Sequence, residues 1–463
     1  MSKVSRQKLS NHQSDLDAAV MNVDGAKAII VGMGKTGLSV ARFLTKHGVE
    51  FAVTDTRKHP PGLAELERCC PNAAIFLGGF QESAFFAATH IVVSPGVSLT
   101  DPLVERTLEK GVSLISDIDL FVCEAKAPIV AVTGSNGKST VTTLVGQMAT
   151  ESGKKVKMGA NLGSPALDLL DEEVDLYVLE LSSFQLERTH LLRPAAAVVL
   201  NISPDHMDRY DSLEAYKREK QRIFDGDGVM VINADDPAVA AMTIPKRSAI
   251  QFSVQPHSTA DYGIRLIDGE QCLMRRGQPL IPVSELKVTG RHNIANALAA
   301  LALGEAVGLD MKAMLTALRK FPGLEHRMQW VAEKNSVTWI NDSKATNVGA
   351  CLAALEGIDG KVVLIAGGEG KGADFSALAD SIEENTRAVV LIGKDADLLR
   401  QAIGDRVDNQ RADGMEQAVG MASSVAHCGD TVLLSPACAS LDQYSDYQER
   451  GWAFINAVNG LVS

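Results

Sequence analysis

Lys138 and Ser139 stand directly behind clustered glycines in the run T-G-S-N-G-K-S-T, and that combination suits phosphate chemistry. The glycines let the backbone turn so that several N–H groups face one concavity at the positive end of a helix, where phosphate binds. Lys138 would reach the terminal phosphates, and the Ser139 hydroxyl would ligate Mg²⁺. The spacing departs from the usual G-x-x-x-x-G-K-[ST]: Val132 occupies the first glycine position and the glycine comes at Gly134. A turn that only packs tightly has no use for a lysine and a serine there. Gly134, Ser135, Asn136, Gly137, Lys138, Ser139 and Thr140 are therefore read as an ATP site.

Other polar residues gather at the ends of apolar runs. Gly32, Gly34 and Gly37 form a G-x-G-x-x-G turn, and Asp55 follows about twenty residues on, the pattern of a dinucleotide-binding βαβ unit. A nucleotide diphosphate or similar ligand fits this turn, and the motif leaves its identity open. Ser94, Pro95 and Gly96 close a later apolar run, where Ser94 is either a ligand contact or a turn cap. The run L-Y-V-L-E delivers Glu180, either a Mg²⁺ ligand or a cap on the next helix. His206, between Asp205 and Asp208, stands in the loop S-P-D-H-M-D-R-Y and is open to a ligand or a structural reading. Asn293 and Asn296 are three apart on one face of an Ala/Leu-rich helix. Asp342, Lys344, Lys371 and Ser440 follow further apolar runs.

The elements that must position these residues alternate between two periods. Short β-branched runs (Ala28–Val31, Ile129–Val132, Leu176–Leu179) each lead into a glycine or polar loop and then a helical pattern, which predicts parallel α/β units. Leu38, Val40, Ala41 and Leu44 form the inner face of one helix, and Val141, Leu144, Val145 and Met148 that of another. Residues 250–290 read as β-rich with turns. After Phe321-Pro322-Gly323, four apolar strands alternating with helices predict a separate parallel sheet. The helix over 212–224 carries Lys217 and Lys220, which the pattern alone places on a solvated face.

At 463 residues the chain exceeds one core, and a prior of length over ~150 suggests about three domains. The net charge of −12 argues against broad binding to nucleic acid or an anionic membrane. Seven scattered cysteines without a C-x-x-C pair suit a reducing compartment. No apolar run approaches the ~20 residues of a membrane span, and the polar start lacks a signal core. A cytoplasmic protein is expected.

Together these motifs resemble the Mur ligases of peptidoglycan synthesis, over about residues 25–463. The resemblance rests on T-G-S-N-G-K-S-T, E-L-S-S-F-Q-L, N-I-S-P-D-H-M-D-R-Y, G-R-H-N-I-A-N-A, G-L-E-H-R, W-I-N-D-S-K-A-T-N and L-L-S-P-A-C-A-S-L-D-Q. It implies an α/β protein of three domains: a Rossmann-like N-terminal domain (25–117), a central P-loop ATPase α/β domain (118–322) and a C-terminal Rossmann-like α/β domain (323–463), after a flexible tail (1–24). It implies a monomer joining UDP-N-acetylmuramoyl-L-alanine to D-glutamate at the expense of ATP. Gly34, Thr36, Asp55, Thr56, Arg57, Ser94, Pro95, Gly96 and Asn161 would hold the UDP substrate. Asn293, Asn296, Arg327 and Asp342 would complete the ATP site, with His326 beside them. D-Glutamate would meet Lys344, Thr346, Lys371, Ser440, Leu441 and Tyr447, the last standing where the family often has Phe. Two Mg²⁺ ions would be held by Ser139, Glu180, His206 and Lys220, with Lys220 carbamylated so that its amine becomes an oxygen ligand. Lys138, His206, Lys220 and Asn161 would act in catalysis. A folylpolyglutamate synthase-like ligase and a non-catalytic nucleotide-sugar sensor remain as alternatives.

Overall fold

The computed structural model describes residues 27–256, 258–288, 290–358 and 360–461. The tail expected over 1–24 lies outside the described residues. Inter-residue contacts divide the chain into two compact units. The first runs up to Thr133 and includes Gly153–Ala197 and Glu219–Val229; the second holds Gly134–Ser152, Val198–Arg218 and Met230 onward.

In the first unit, β1 (Lys27–Val31), β2 (Glu50–Asp55), β3 (Ala74–Leu77), β4 (His90–Val93) and β5 (Ser113–Ile115) form a parallel sheet in the order β3-β2-β1-β4-β5. The order reverses between β1 and β4, which opens a crevice at their carboxyl ends where ligands of such sheets bind. Helix Lys35–Lys46 buries Leu38, Val40, Ala41 and Leu44, the predicted inner face. Helix Asp117–Glu124 starts at a capping box between Ser116 and Asp119. Beyond it, β6 (Ile129–Thr133), β7 (Val156–Ala160) and β8 (Leu176–Glu180) pair in parallel with β8 between the other two. Every residue of β6 and β8 is buried, as expected of strands covered on both faces.

β9 (Ala196–Val199) and β10 (Val229–Asn233) follow in the chain. In the second unit, helix Lys138–Glu151 buries Val141, Leu144, Val145 and Met148. β11 (Ala249–Phe252) runs parallel to β10. β12 (Tyr262–Ile267), β13 (Glu270–Arg275) and β14 (Gln278–Pro282) form an antiparallel meander, the β-rich region expected there. The last sheet contains β15 (Gln329–Lys334), β16 (Val337–Asn341), β17 (Val362–Gly367), β18 (Thr386–Ile392), β19 (Asp408–Arg411) and β20 (Thr431–Leu434), ordered β15-β16-β20-β17-β18-β19. Side chains alternate across β17: Val362, Leu364 and Ala366 join one core, Val363 and Ile365 the other.

This sheet has six strands where four were expected. The two additions are its edges. β15 pairs antiparallel with β16 through a tight turn in which Asn335 and Ser336 both have positive φ, as two-residue hairpin turns require. β19 reads D-N-Q-R and lacks an apolar face, so its strand character comes from pairing with β18.

Candidate functional site

The phosphate loop is held by its own lysine and by the loop that follows β9. Lys138 Nζ donates to the carbonyls of Gly134 and Ser135, both at 2.8 Å. Ser135 N donates to Asn201 O at 2.9 Å and Asn136 N to Asn201 Oδ1 at 2.8 Å. Gly137 has φ +84, and a Cβ there would lie 2.4 Å from Asn296 Oδ1, so this residue must be glycine for two reasons at once. Ser139 Oγ accepts from Arg327 Nη2 at 3.0 Å.

One pocket collects the expected nucleotide residues. Asn136, Gly137, Thr140, Asn293, Asn296, Arg327, Asp342 and Lys344 all line it, with Asn233, Phe252 and His292 beside them. Asp342 is buried and accepts from Met328 N and Ser435 Oγ. Burial pushes its carboxyl up to about 7, against those hydrogen bonds and the charge of Arg327.

A polar chain connects the loop bearing His206 with the residues expected to hold the amino acid. Lys371 Nζ donates to Asp205 Oδ1 at 2.5 Å. Asn347 Nδ2 reaches Asp205 Oδ2 at 3.2 Å and exchanges hydrogen bonds with the Asn136 amide. Burial would raise the Asp205 carboxyl, but the Lys371 and His206 charges and the Lys371 hydrogen bond hold it below the usual carboxylate range. Burial takes the His206 imidazole down to about 4, with Lys371 and Lys138 adding to the effect and Asp205 opposing it. His206 is therefore a neutral imidazole near pH 7, the form that can ligate a metal.

Lys344, Thr346, Lys371, Ser440 and Leu441 follow the carboxyl ends of β16, β17 and β20, and Tyr447 opens helix Tyr447–Gly460. Lys344 Nζ lies 3.6 Å from the centre of the Tyr447 ring. The residue that draws these ends together is Arg450, which is 1% exposed. It donates to Ser343 Oγ and O at 3.0 and 2.8 Å, to Cys438 O at 3.1 Å and to Gly367 O at 3.5 Å. Sequence reasoning missed Arg450 because Y-Q-E-R-G reads as an exposed helix start. It also missed Asn347, although N-D-S-K-A-T-N carried the signal.

In the first unit, Asp55 ends β2 but its carboxylate is engaged by the chain itself. Met33 N donates to Oδ2 at 2.8 Å, and Arg57 N, Nε and Nη2 bond the two oxygens at 2.7–2.9 Å. Burial alone would raise this carboxyl; the Arg57 and Met33 hydrogen bonds hold it at about 2. Asp55 thus shapes the glycine turn as a strut. Ser94 Oγ donates to Gly32 O at 3.0 Å, fastening the Ser94–Gly96 turn to the same place. Gly34, Thr36, Thr56, Pro95 and Gly96 lie at this carboxyl edge, all at least partly exposed.

Glu180 is 3% exposed. Its Oε1 accepts from Asn161 Nδ2 at 2.6 Å, while Oε2 has no hydrogen-bond partner. A buried carboxylate oxygen in that state suits a hard cation such as Mg²⁺. The alternative of a helix cap fails, because Ser182 and Gln185 supply that capping box themselves. The solvated-face reading of Lys220 also fails. Lys220 is 1% exposed, and its Nζ lies 3.4 Å from Thr133 Oγ1 at the end of β6. Lys217, three residues earlier, keeps a partly exposed side chain paired with Glu214. Among the described residues no three His, Cys, Asp or Glu side chains converge as a ready metal cluster.

Known proteins match these segments. The Mur ligase MurD-like N-terminal domain matches residues 26–116, the Mur ligase middle domain 132–304 and the Mur ligase glutamate ligase domain 326–438. Proteins of Methylococcus capsulatus and Nitrosococcus oceani, each named UDP-N-acetylmuramoylalanine--D-glutamate ligase, are 54% and 52% identical to this chain. The first alignment covers 94% of this chain and 95% of the relative, the second 95% and 97%. The crystal structure of UDP-N-acetylmuramate-alanine ligase MurC from Thermotoga maritima superposes with a TM-score of 0.59 over 94% of this chain and 99% of that one. At 18% identity that likeness speaks for the fold alone. With half its residues shared over nearly the whole length of such relatives, the chain belongs to the Mur ligase family.

Proposed function

We propose that this protein is an ATP-dependent ligase that adds D-glutamate to UDP-N-acetylmuramoyl-L-alanine in cytoplasmic peptidoglycan precursor synthesis. The observation that carries the reading is the pocket in which the Gly134–Thr140 loop meets Asn293, Asn296, Arg327 and Asp342, in a chain about half identical to ligases of that name. Those relatives leave the folylpolyglutamate synthase-like alternative and the non-catalytic sensor without support.

The alanyl carboxylate attacks the γ-phosphorus of ATP, ADP leaves, and an acyl phosphate forms. The amine of D-glutamate attacks the acyl carbon, and the tetrahedral adduct loses a proton and collapses to amide and inorganic phosphate. Lys138 exchanges the Gly134 and Ser135 carbonyls for the phosphoryl oxygens and offsets the charge that grows there. Arg327, already at Ser139 Oγ, adds a second cation on that side. Lys371 exchanges Asp205 for a carboxylate of D-glutamate, and Thr346, Ser440, Leu441 and Tyr447 complete that site with Lys344 close by. Asn161 contacts substrate near the reacting carboxylate.

Mg²⁺ ligation is assigned to Ser139, Glu180, His206 and, as a carbamate, Lys220. When bound, two such ions neutralise phosphoryl charge and orient the reacting oxygens. Lys220 as an ammonium could not ligate a cation, and CO₂ on the neutral amine makes the buried side chain an anion. The UDP end is assigned to Gly34, Thr36, Asp55, Thr56, Arg57 and Ser94–Gly96. Domains over 25–117, 118–322 and 323–463 after a tail over 1–24 suit this division of labour, with the protein acting as a monomer.

The test is phosphate release from ATP with UDP-N-acetylmuramoyl-L-alanine, with and without D-glutamate. Release that requires both, and that L-glutamate or L-lysine does not support, is the expected result. Release without any amino acid would replace the ligase with an ATPase.

A further inference from the structure

Arg188 is 0% exposed and takes no part in the chemistry above. It follows β8 by eight residues, past Glu180 and the capped turn Ser183–Leu186. Its Nη1 donates to Val93 O at 3.1 Å and Ser94 O at 2.7 Å, and its Nη2 to Val97 O at 3.3 Å; Glu187 pairs with the same guanidinium. Three carbonyls of one turn thus converge on a single buried cation. The Ser94 carbonyl also accepts from Val97 N at 2.9 Å, and Ser94 N donates to Val31 O at 2.9 Å. A buried guanidinium is costly unless its donors are used, so such a residue is kept for geometry that a smaller side chain could not impose.

We propose that Arg188 is the positioning residue of the nucleotide-diphosphate subsite: by gathering the Val93, Ser94 and Val97 carbonyls inward, it sets the Ser94–Gly96 turn against the Gly32–Gly34 turn in the form that receives the UDP end of the substrate. Two further observations support it. Ser94 Oγ bonds Gly32 O, so a displacement of the Ser94 turn is felt at the first glycine turn. A Cβ built on either Gly34 or Gly96 meets nothing within 4 Å, so both turns face open space on the side where a ligand would approach. Asp117, also buried, lies close enough to Arg188 for their charges to interact, and supplies a second acid beside Glu187. Arg188 also stands on the same short segment as Glu180. The metal carboxylate and the anchor of the nucleotide turn are therefore separated by a fixed stretch of capped backbone.

The inference rests on the UDP-substrate reading, and the experiment separates the two. Wild type, Arg188→Met and Arg188→Lys are compared by steady-state kinetics for each substrate and by calorimetric titration with UDP itself. Arg188→Met keeps the volume and removes every donor; Arg188→Lys keeps one charge-assisted contact. The expected result for Arg188→Met is a KM for UDP-N-acetylmuramoyl-L-alanine and a Kd for UDP raised roughly tenfold or more, the scale of losing charge-assisted hydrogen bonds. The KM values for ATP and D-glutamate and kcat stay near wild type, and Arg188→Lys lies between. If Arg188→Met folds poorly, Arg188→Lys alone decides by the same KM split. An equal fall of kcat with every KM unchanged, or UDP binding as tight as wild type, overturns the positioning role. A wild-type protein that binds no UDP overturns the substrate reading instead.

Discussion

Replacing Gly137 by alanine should weaken ATP binding as well as strain the fold. With φ at +84, an L side chain there meets left-handed backbone strain of roughly 1–2 kcal/mol. The added Cβ would also stand 2.4 Å from Asn296 Oδ1 and 3.2 Å from Leu200 Cδ1. Asn296 must give way, because the backbone of the loop is tied to Asn201 on its other side. Asn296 Nδ2 is 3.5 Å from Asn293 Oδ1, so the displacement carries to both amides that line the pocket proposed for the nucleotide. Losing one buried polar contact to a ligand costs about 1–3 kcal/mol, which is roughly 5–150-fold in Kd. Gly153, just past the end of the same helix, provides the control. Its φ is +77, and a Cβ there meets nothing within 4 Å. Gly153→Ala should therefore show the strain without the clash. Calorimetric titration with a non-hydrolysable ATP analogue, read beside thermal unfolding, separates the terms. Similar losses of melting temperature with weakened nucleotide binding only in Gly137→Ala is the expected pattern. Wild-type affinity in Gly137→Ala, or equal loss in Gly153→Ala, would refute the account of Asn296 and the loop.

Lys138→Ala should abolish phosphate release, by at least about 10²-fold in kcat, while thermal unfolding shows a folded protein; near-normal turnover would remove Lys138 from phosphoryl transfer. Lys220→Ala should cripple turnover, with partial rescue by formate or acetate in the buffer, and an unchanged rate would end the carbamate assignment. Asp117→Asn should alter how stability depends on pH. Burial raises the Asp117 carboxyl to about 6, against the charge of Arg188, from an unfolded value near the ordinary 3.8. Between those values the folded state holds the proton more tightly than the unfolded state, so this residue lowers stability as pH rises, up to a plateau above about 6. Urea unfolding from pH 4 to 7 should show the variant gaining on wild type across that window, and parallel curves would exclude the titration.

Local chemistry was legible wherever a few consecutive residues carry it. The glycine turn after β1, the Gly134–Thr140 loop and the polar ends of β16, β17 and β20 all lie where the sequence pattern places them, because strand, turn and helix signals are short-range. The pattern of apolar runs likewise foretold the buried faces of β6 and β8 and the helix face of Val141, Leu144, Val145 and Met148. The edge strands β15 and β19 were not legible. β19 is polar throughout and β15 has only the short apolar run Trp330–Ala332, so pairing with a neighbour makes them strands.

The burial of charged side chains was decided by tertiary structure alone. K-R-E-K reads as a solvated helix face, and nothing in those letters separates Lys217, which pairs with Glu214 at the surface, from Lys220 against Thr133. Asp55 reads in the sequence only as the acid that follows the glycine turn; that its carboxylate fastens Met33 N and Arg57 is seen only in the structure, because both donors arrive from outside its own strand. Arg188 and Arg450 are unremarkable letters in helical stretches, yet each is enclosed and bonded to carbonyls roughly 90 and 100 residues away in the chain. A long polar side chain adopts a buried role only when distant segments bring acceptors to its tip. Composition and spacing therefore determine which chemistry is present, and non-local packing decides which of the charged residues hold the site in shape.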